Sequence, residues 1–235
     1  MNYRAVFFDW DDTLWDFTTN AREALQTVYE KHGFNRWYDS FEQYLHSYET
    51  YNQQLWANYA AGLISKDFLR RERFKLPLNE LGIQTDDETA LQLDRDFLQI
   101  TASKTRLKQH AAELLQSLHG KVRIAVVSNG FTDVQHAKIQ RSGLAPYIDY
   151  TILSEDVGVN KPHPDIFRYA LTQCRLEAHE VLMVGDSYQT DIEGARRAGI
   201  DQFYLCPNPP ADRKATYISG NLLDVRQIVG LTSVQ

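Results

Sequence analysis

Five short apolar runs limit what this chain can fold into more than any other feature. They lie at residues 4–8, 122–127, 150–153, 181–184 and 202–205. A strand with one wet face alternates polar and apolar side chains. These runs are apolar nearly throughout, which is the pattern of strands covered on both faces. Helical patterns at residues 131–142, 164–174 and 190–198 separate the last four runs. Strands alternating with helices predict a parallel α/β sheet with right-handed crossovers.

Between the first two runs the alternation breaks. Residues 17–107 contain no convincing strand but four helical stretches: 19–32, with Thr19 as N-cap and Gly33 as stop; 41–60, ended by Gly62; 65–74, capped by Ser65; and 87–100. The expected organisation is an α/β core of residues 1–16 and 108–235, with 17–107 inserted as a helical cap over the carboxyl edge of the sheet. Aromatic residues make up 12% of the chain, and nine of them fall between Phe34 and Tyr59. The spacing of Trp37, Phe41, Tyr44, Tyr48, Tyr51 and Leu55 is that of an amphipathic helix burying one face.

Composition excludes several classes. The 235 residues are 43% hydrophobic and 24% charged, as in an ordinary globular protein. A net charge of −6 argues against binding a nucleic-acid polymer through a basic surface. No apolar stretch approaches the roughly 20 residues that cross a bilayer, so no membrane is expected as a partner. Two cysteines, Cys174 and Cys206, cannot build a disulfide framework, and the N-terminal residues do not resemble a signal peptide. The expected location is the cytoplasm, and the expected form is a monomer or small homo-oligomer.

Chemistry-bearing residues cluster where the apolar runs end. Asp9, Asp11 and Thr13 follow the first run at i, i+2 and i+4. In open α/β sheets ligands bind beyond that edge, and two crowded carboxylates there call for a cation or a shared proton. A solvated acidic turn is the other reading. Asp186 and Asp191 follow the fourth run, with Gly185 permitting a tight turn. If Asp186 meets Asp9, the pair forms a hard oxygen site suited to Mg²⁺; alternatively, Asp191 caps the next helix. Ser128-Asn129-Gly130 ends the second run and can hold a phosphate on hydroxyl and backbone N–H groups, or can be a plain turn. Lys161 stands beside two prolines in Asn160-Lys-Pro-His-Pro164, where His163 reads as loop packing.

Taken together, Asp9-Trp-Asp-Asp-Thr13, Ser128-Asn129, Lys161 and Gly185-Asp186 with Asp191 resemble the four motifs of the haloacid dehalogenase (HAD) phosphohydrolases, in the same order. The resemblance implies a Rossmann-like core with strand order 3-2-1-4-5 and a helical cap inserted after the first motif. It implies that Asp9 is the nucleophile that forms an aspartyl-phosphate, and that Asp11 is general acid and then base. Ser128, Asn129 and Lys161 would hold the phosphoryl group, and Asp9, Asp11, Asp186 and Asp191 would supply the Mg²⁺ site, Asp11 through its backbone carbonyl. Asp11 points away from dehalogenation, which has no alkoxide to protonate. Asn52-Gln-Gln-Leu-Trp56 and Arg70-Arg-Glu-Arg-Phe74 look similar to the house-cleaning 5′-nucleotidases of that superfamily. By that likeness the substrate is a phosphomonoester, a nucleoside 5′-monophosphate, with Asn52, Trp56 and Arg73 as its contacts. A sugar-phosphate phosphatase or phosphomutase on the same scaffold is the alternative, and a non-catalytic phosphate-binding module the remote one.

Overall fold

The structure, a computed structural model, describes residues 3–231. In chain order, β1 (Ala5–Phe8) is followed by the helices α1 (Phe17–Lys31), α2 (Phe41–Ala60), α3 (Lys66–Glu80) and α4 (Asp87–Ser103). Then come α5 (Ala111–Leu118), β2 (Arg123–Ser128), α6 (Thr132–Arg141), β3 (Tyr150–Leu153), α7 (Ser154–Val157) and α8 (Pro164–Cys174). The last part holds β4 (Val181–Gly185), a π-helical turn (Tyr188–Ile192), α9 (Glu193–Arg197), β5 (Asp201–Leu205), β6 (Tyr217–Ser219) and α10 (Asp224–Ile228). Two compact units result: one through Phe17 and from Thr105 onward, the other Thr18–Lys104.

The first unit is a parallel sheet in the order β3-β2-β1-β4-β5-β6. The first five strands stand in the expected order. The sixth was not foreseen, because Tyr217–Ser219 is only three residues long and partly exposed at the sheet edge, so it leaves no apolar run. Every residue of β1 is fully buried, and its side chains divide between the two faces. Val6 and Phe8 pack with Leu114, Leu115 and Leu118 of α5, Ile139 of α6 and Val225 of α10. Ala5 and Phe7 pack with Ile166, Phe167 and Ala170 of α8 and Ala195 of α9. Helices on both faces explain why these strands carry no polar alternation.

Register sets the functional edge. Phe8 lies beside Val126 on one side and Val184 on the other, so Asp9, Ser128 and Asp186 leave the sheet at nearly one level. The order reverses around β1, and such a switch point is where open sheets leave a crevice.

The second unit is helical, and its core is aromatic. Tyr44 packs edge-on to Phe34 at 5.0 Å, and Tyr48 lies 5.2 Å from Phe74 and 6.0 Å from Phe97. Of the helical stripe read from the sequence, Tyr44, Tyr48 and Leu55 are buried, while Trp37, Phe41 and Tyr51 are half-buried. Ser40, Ser65 and Asp86 cap α2, α3 and α4 by accepting from the backbone N–H three residues on. Three boundaries differ from expectation, α4 running on to Ser103. The first helix begins at Phe17, so Thr19 lies inside its first turn and does not cap it. The third continues past Phe74 to Glu80 through Pro77, where burial of Phe74, Pro77 and Leu78 offsets the lost backbone hydrogen bond.

Candidate active site

The first acidic motif is shaped by a buried turn. The Asp9 N–H donates to Val184 O at 2.9 Å, prolonging the sheet by one residue. The chain then folds back: the N–H groups of Leu14 and Trp15 both reach Trp10 O, and Asp12 takes a left-handed conformation with φ 61°. Trp10, Thr13, Leu14 and Trp15 are fully buried and anchor the turn. Thr13 joins it to the fourth strand end: its Oγ1 donates to Asp186 Oδ1 at 3.0 Å and accepts from the Asp186 N–H at 3.1 Å.

One carboxylate oxygen from each of Asp9, Asp186 and Asp191 lies within 4.8 Å of the others. Lys161 reaches into this group from the loop before α8. Its Nζ donates to Asp9 Oδ1 at 2.6 Å and to Asp191 Oδ1 at 2.7 Å. Asp191 also accepts from the Ser187 N–H at 3.0 Å, so it braces the turn after β4 as well as the lysine. Gly185 makes this approach possible, since a β-carbon there would stand 2.3 Å from the Asp191 carboxylate.

The electrostatics leave an excess of negative charge. Burial, then the neighbouring Asp191 and Asp186 charges, raises the Asp9 carboxyl well above the usual carboxylate range, with Lys161 opposing. Burial and then the Asp191 charge push Asp186 up to about 7. Burial works against the charge on Lys161, but Asp191 and Asp9 outweigh it and hold its ammonium pKa above the ordinary lysine value. Three hard oxygen donors facing a single ammonium form a set that fits a divalent cation such as Mg²⁺.

Ser128 and Asn129 border this group. The Asn129 side chain is latched to Lys161 in both directions: Nδ2 donates to Lys161 O at 2.9 Å, and Oδ1 accepts from the Lys161 N–H at 2.7 Å. Ser128 is buried, and its Oγ accepts from the Gly130 N–H at 3.1 Å. The Asp11 carboxylate stands apart from the triad and is held by α6. Lys138 Nζ donates to Oδ1 at 2.5 Å and Gln135 Nε2 donates to Oδ2 at 3.0 Å. Sequence reasoning missed Gln135, Lys138 and the bridging role of Thr13. The only available signal was that Gln135 and Lys138 share a helical face with the apolar Ile139.

The residues anticipated in the helical unit divide. Asn52 and Trp56 are half-buried on α2, Trp56 edge-on to Tyr59 at 5.6 Å. Asn52 Oδ1 is buried with no hydrogen-bond partner among the described residues. Arg73 departs from the expectation of a substrate contact. It is 2% exposed, its Nε donates to Asp94 Oδ1 at 2.8 Å, and it stacks over Phe97. Asp94 is fully buried and needs this cation, so Arg73 serves the interior of its own unit.

The chain is 32% identical over 206 residues to pyrimidine 5′-nucleotidase YjjG of Escherichia coli, covering 87% of each chain. It is 29% identical to pyrimidine 5′-nucleotidase PynA of Streptococcus pneumoniae, over 88% of this chain and 86% of that one. The crystal structure of the HAD-hydrolase YfnB from Bacillus subtilis, bound to magnesium, superposes with a TM-score of 0.89 at 27% identity. The match covers 97% of this chain and 99% of that one. Residues 3–199 match the family model of the haloacid dehalogenase-like hydrolases, and the chain belongs to that family.

Proposed function

We propose that this hydrolase is a Mg²⁺-dependent phosphatase that cleaves nucleoside 5′-monophosphates through an aspartyl-phosphate. The observation that carries the reading is the convergence of Asp9, Asp186 and Asp191 on Lys161, with the Asp11 carboxylate held separately beside Ser128.

In this reading the Asp9 carboxylate attacks phosphorus, and the bond to the ester oxygen breaks. Asp11 gives that oxygen a proton, so the nucleoside leaves as an alcohol. Asp11 then takes a proton from water, which attacks the phosphoryl group and releases Asp9. Lys161, the Ser128 hydroxyl and the Asn129 backbone hold the phosphoryl oxygens as charge shifts. Asp9, Asp186 and Asp191 would hold Mg²⁺ with the Asp11 carbonyl; when bound, the ion offsets the charge of the carboxylates and of the phosphate dianion.

Nucleotide preference is supported by the two named pyrimidine 5′-nucleotidases among the relatives. Thr18–Lys104 is the unit we assign to substrate selection, through Asn52 and Trp56. Both cysteines are free, as in a reducing cytoplasm. Among the described residues no helix is long and apolar enough to cross a membrane.

A panel of phosphomonoesters assayed with Mg²⁺ tests the reading. Phosphate release is expected to be fastest from nucleoside 5′-monophosphates and to vanish in Asp9→Asn with the fold intact. Turnover confined to hexose phosphates would overturn the nucleotidase assignment. Wild-type turnover in Asp9→Asn would overturn the nucleophile.

A further inference from the structure

Helix α6 carries a lysine and a glutamine that none of the motif positions includes. Lys138 is 3% exposed and Gln135 is 1% exposed, unusual for a lysine in the last turn of a helix. A buried ammonium is costly unless it is paired. Here Lys138 Nζ is satisfied by Asp11 Oδ1 and by Gln135 Oε1 at 2.7 Å, and the Trp15 ring centre lies 4.3 Å away. Gln135 completes the arrangement. Its Nε2 donates both to Asp11 Oδ2 and to Ser128 Oγ, the latter at 2.8 Å.

Two consequences follow from counting donors and acceptors. The Asp11 carboxylate is gripped on both oxygens, one by each side chain of the helix face. The Ser128 hydroxyl accepts twice, from Gln135 and from the Gly130 N–H, so its own proton is left to donate. Gly130 keeps this possible, because a β-carbon there would stand 2.4 Å from Gln135.

We infer that Lys138 and Gln135 are positioning residues of the hydrolytic reaction. Together they clamp the Asp11 carboxylate in one orientation and, through Gln135, commit the Ser128 hydroxyl to donating toward the phosphoryl group. The inference rests on the acid–base role proposed for Asp11, but not on the identity of the substrate.

Steady-state kinetics with phenyl phosphate and Mg²⁺ test it without reference to nucleotide preference. Lys138→Met is expected to lower kcat ten- to a hundredfold with KM within twofold. The same substitution placed in an Asp11→Asn background is expected to cost less than a further twofold, because Lys138 acts through Asp11. Gln135→Leu carries the same comparison if Lys138→Met does not fold, and should also raise KM because it releases Ser128. Wild-type kcat in both variants, or an equal loss in the Asp11→Asn background, would overturn the inference. An Asp11→Asn enzyme with wild-type kcat would overturn the acid–base assignment and this inference with it. An inactive Asp11→Asn enzyme beside an unaffected Lys138→Met enzyme would overturn this inference alone.

Discussion

The residues at the sheet edge are held in place by hydrogen-bonded neighbours, and the Asn129–Lys161 latch shows the consequence most simply. Two hydrogen bonds fix the backbone from which the Lys161 ammonium extends. Asn129→Ala should therefore lower kcat about tenfold while leaving the side chain of Lys161 unchanged, and should cost about 1–3 kcal/mol of stability as two backbone groups lose their partner. Kinetics beside urea unfolding would check both, and a variant with unaltered kcat would show that the latch is dispensable. Asp9, Lys161 and Asp186 were legible in the sequence because each sits just beyond a strand or beside a proline, whereas Asp191, buried inside the π-helical turn, was legible only through its spacing from Gly185-Asp186. Arg73 was misread for a related reason. Its partner Asp94 lies on another helix, and no local pattern announces a buried ion pair. Lys138 was invisible on the same grounds, since its reason for being buried, Asp11, is remote in sequence.

At the scale of elements, the central strand does the most. β1 is flanked on both sides by parallel neighbours, and Phe7 is packed into one of the two core faces. Phe7→Ala should destabilise the chain by about 3–5 kcal/mol, the range for a large buried ring replaced by methyl. Urea unfolding should show a lower midpoint with an unchanged slope; a loss below 1 kcal/mol would mean that the neighbours collapse into the gap. Core strands and the helices α2 and α8 were readable because burial imposes a period, apolar runs for strands and three-four spacing for helices. β6 was not, since three partly exposed residues carry no such period. The end of α3 was not either: the helix runs past Phe74 to Glu80 with Pro77 inside it, because packing of Pro77 and Leu78 overrides local propensity.

The charge imbalance of the site acts on the whole molecule through pH. The carboxyls of Asp9 and Asp186 have folded-state pKa values raised above the unfolded range near 4, that of Asp186 to about 7. Between these values the folded chain keeps protons that the unfolded chain has lost, so the contribution of these groups to stability falls as pH rises from about 4 through 7. Mg²⁺ held by these carboxylates would compete with those protons. Its addition should raise the melting temperature more at pH 8 than at pH 6, in thermal melts with and without the ion. An equal gain at both pH values would mean that these carboxylates are not its ligands.

The place where the helical unit interrupts the sheet also sets the order in which the chain can assemble. β1 is made first, yet both of its partners, β2 and β4, follow only after Thr18–Lys104 has been synthesised. The helices close among near neighbours in sequence, whereas the central strand waits for distant ones. A nascent chain therefore has a complete helical unit before it has a sheet, and its central strand stays unpaired until translation has passed Ser128. The Trp15–Leu107 bridge and the Asp16 N–H bond to Arg106 O, where the chain leaves and re-enters the sheet unit, are the first contacts able to bring that strand back to its place.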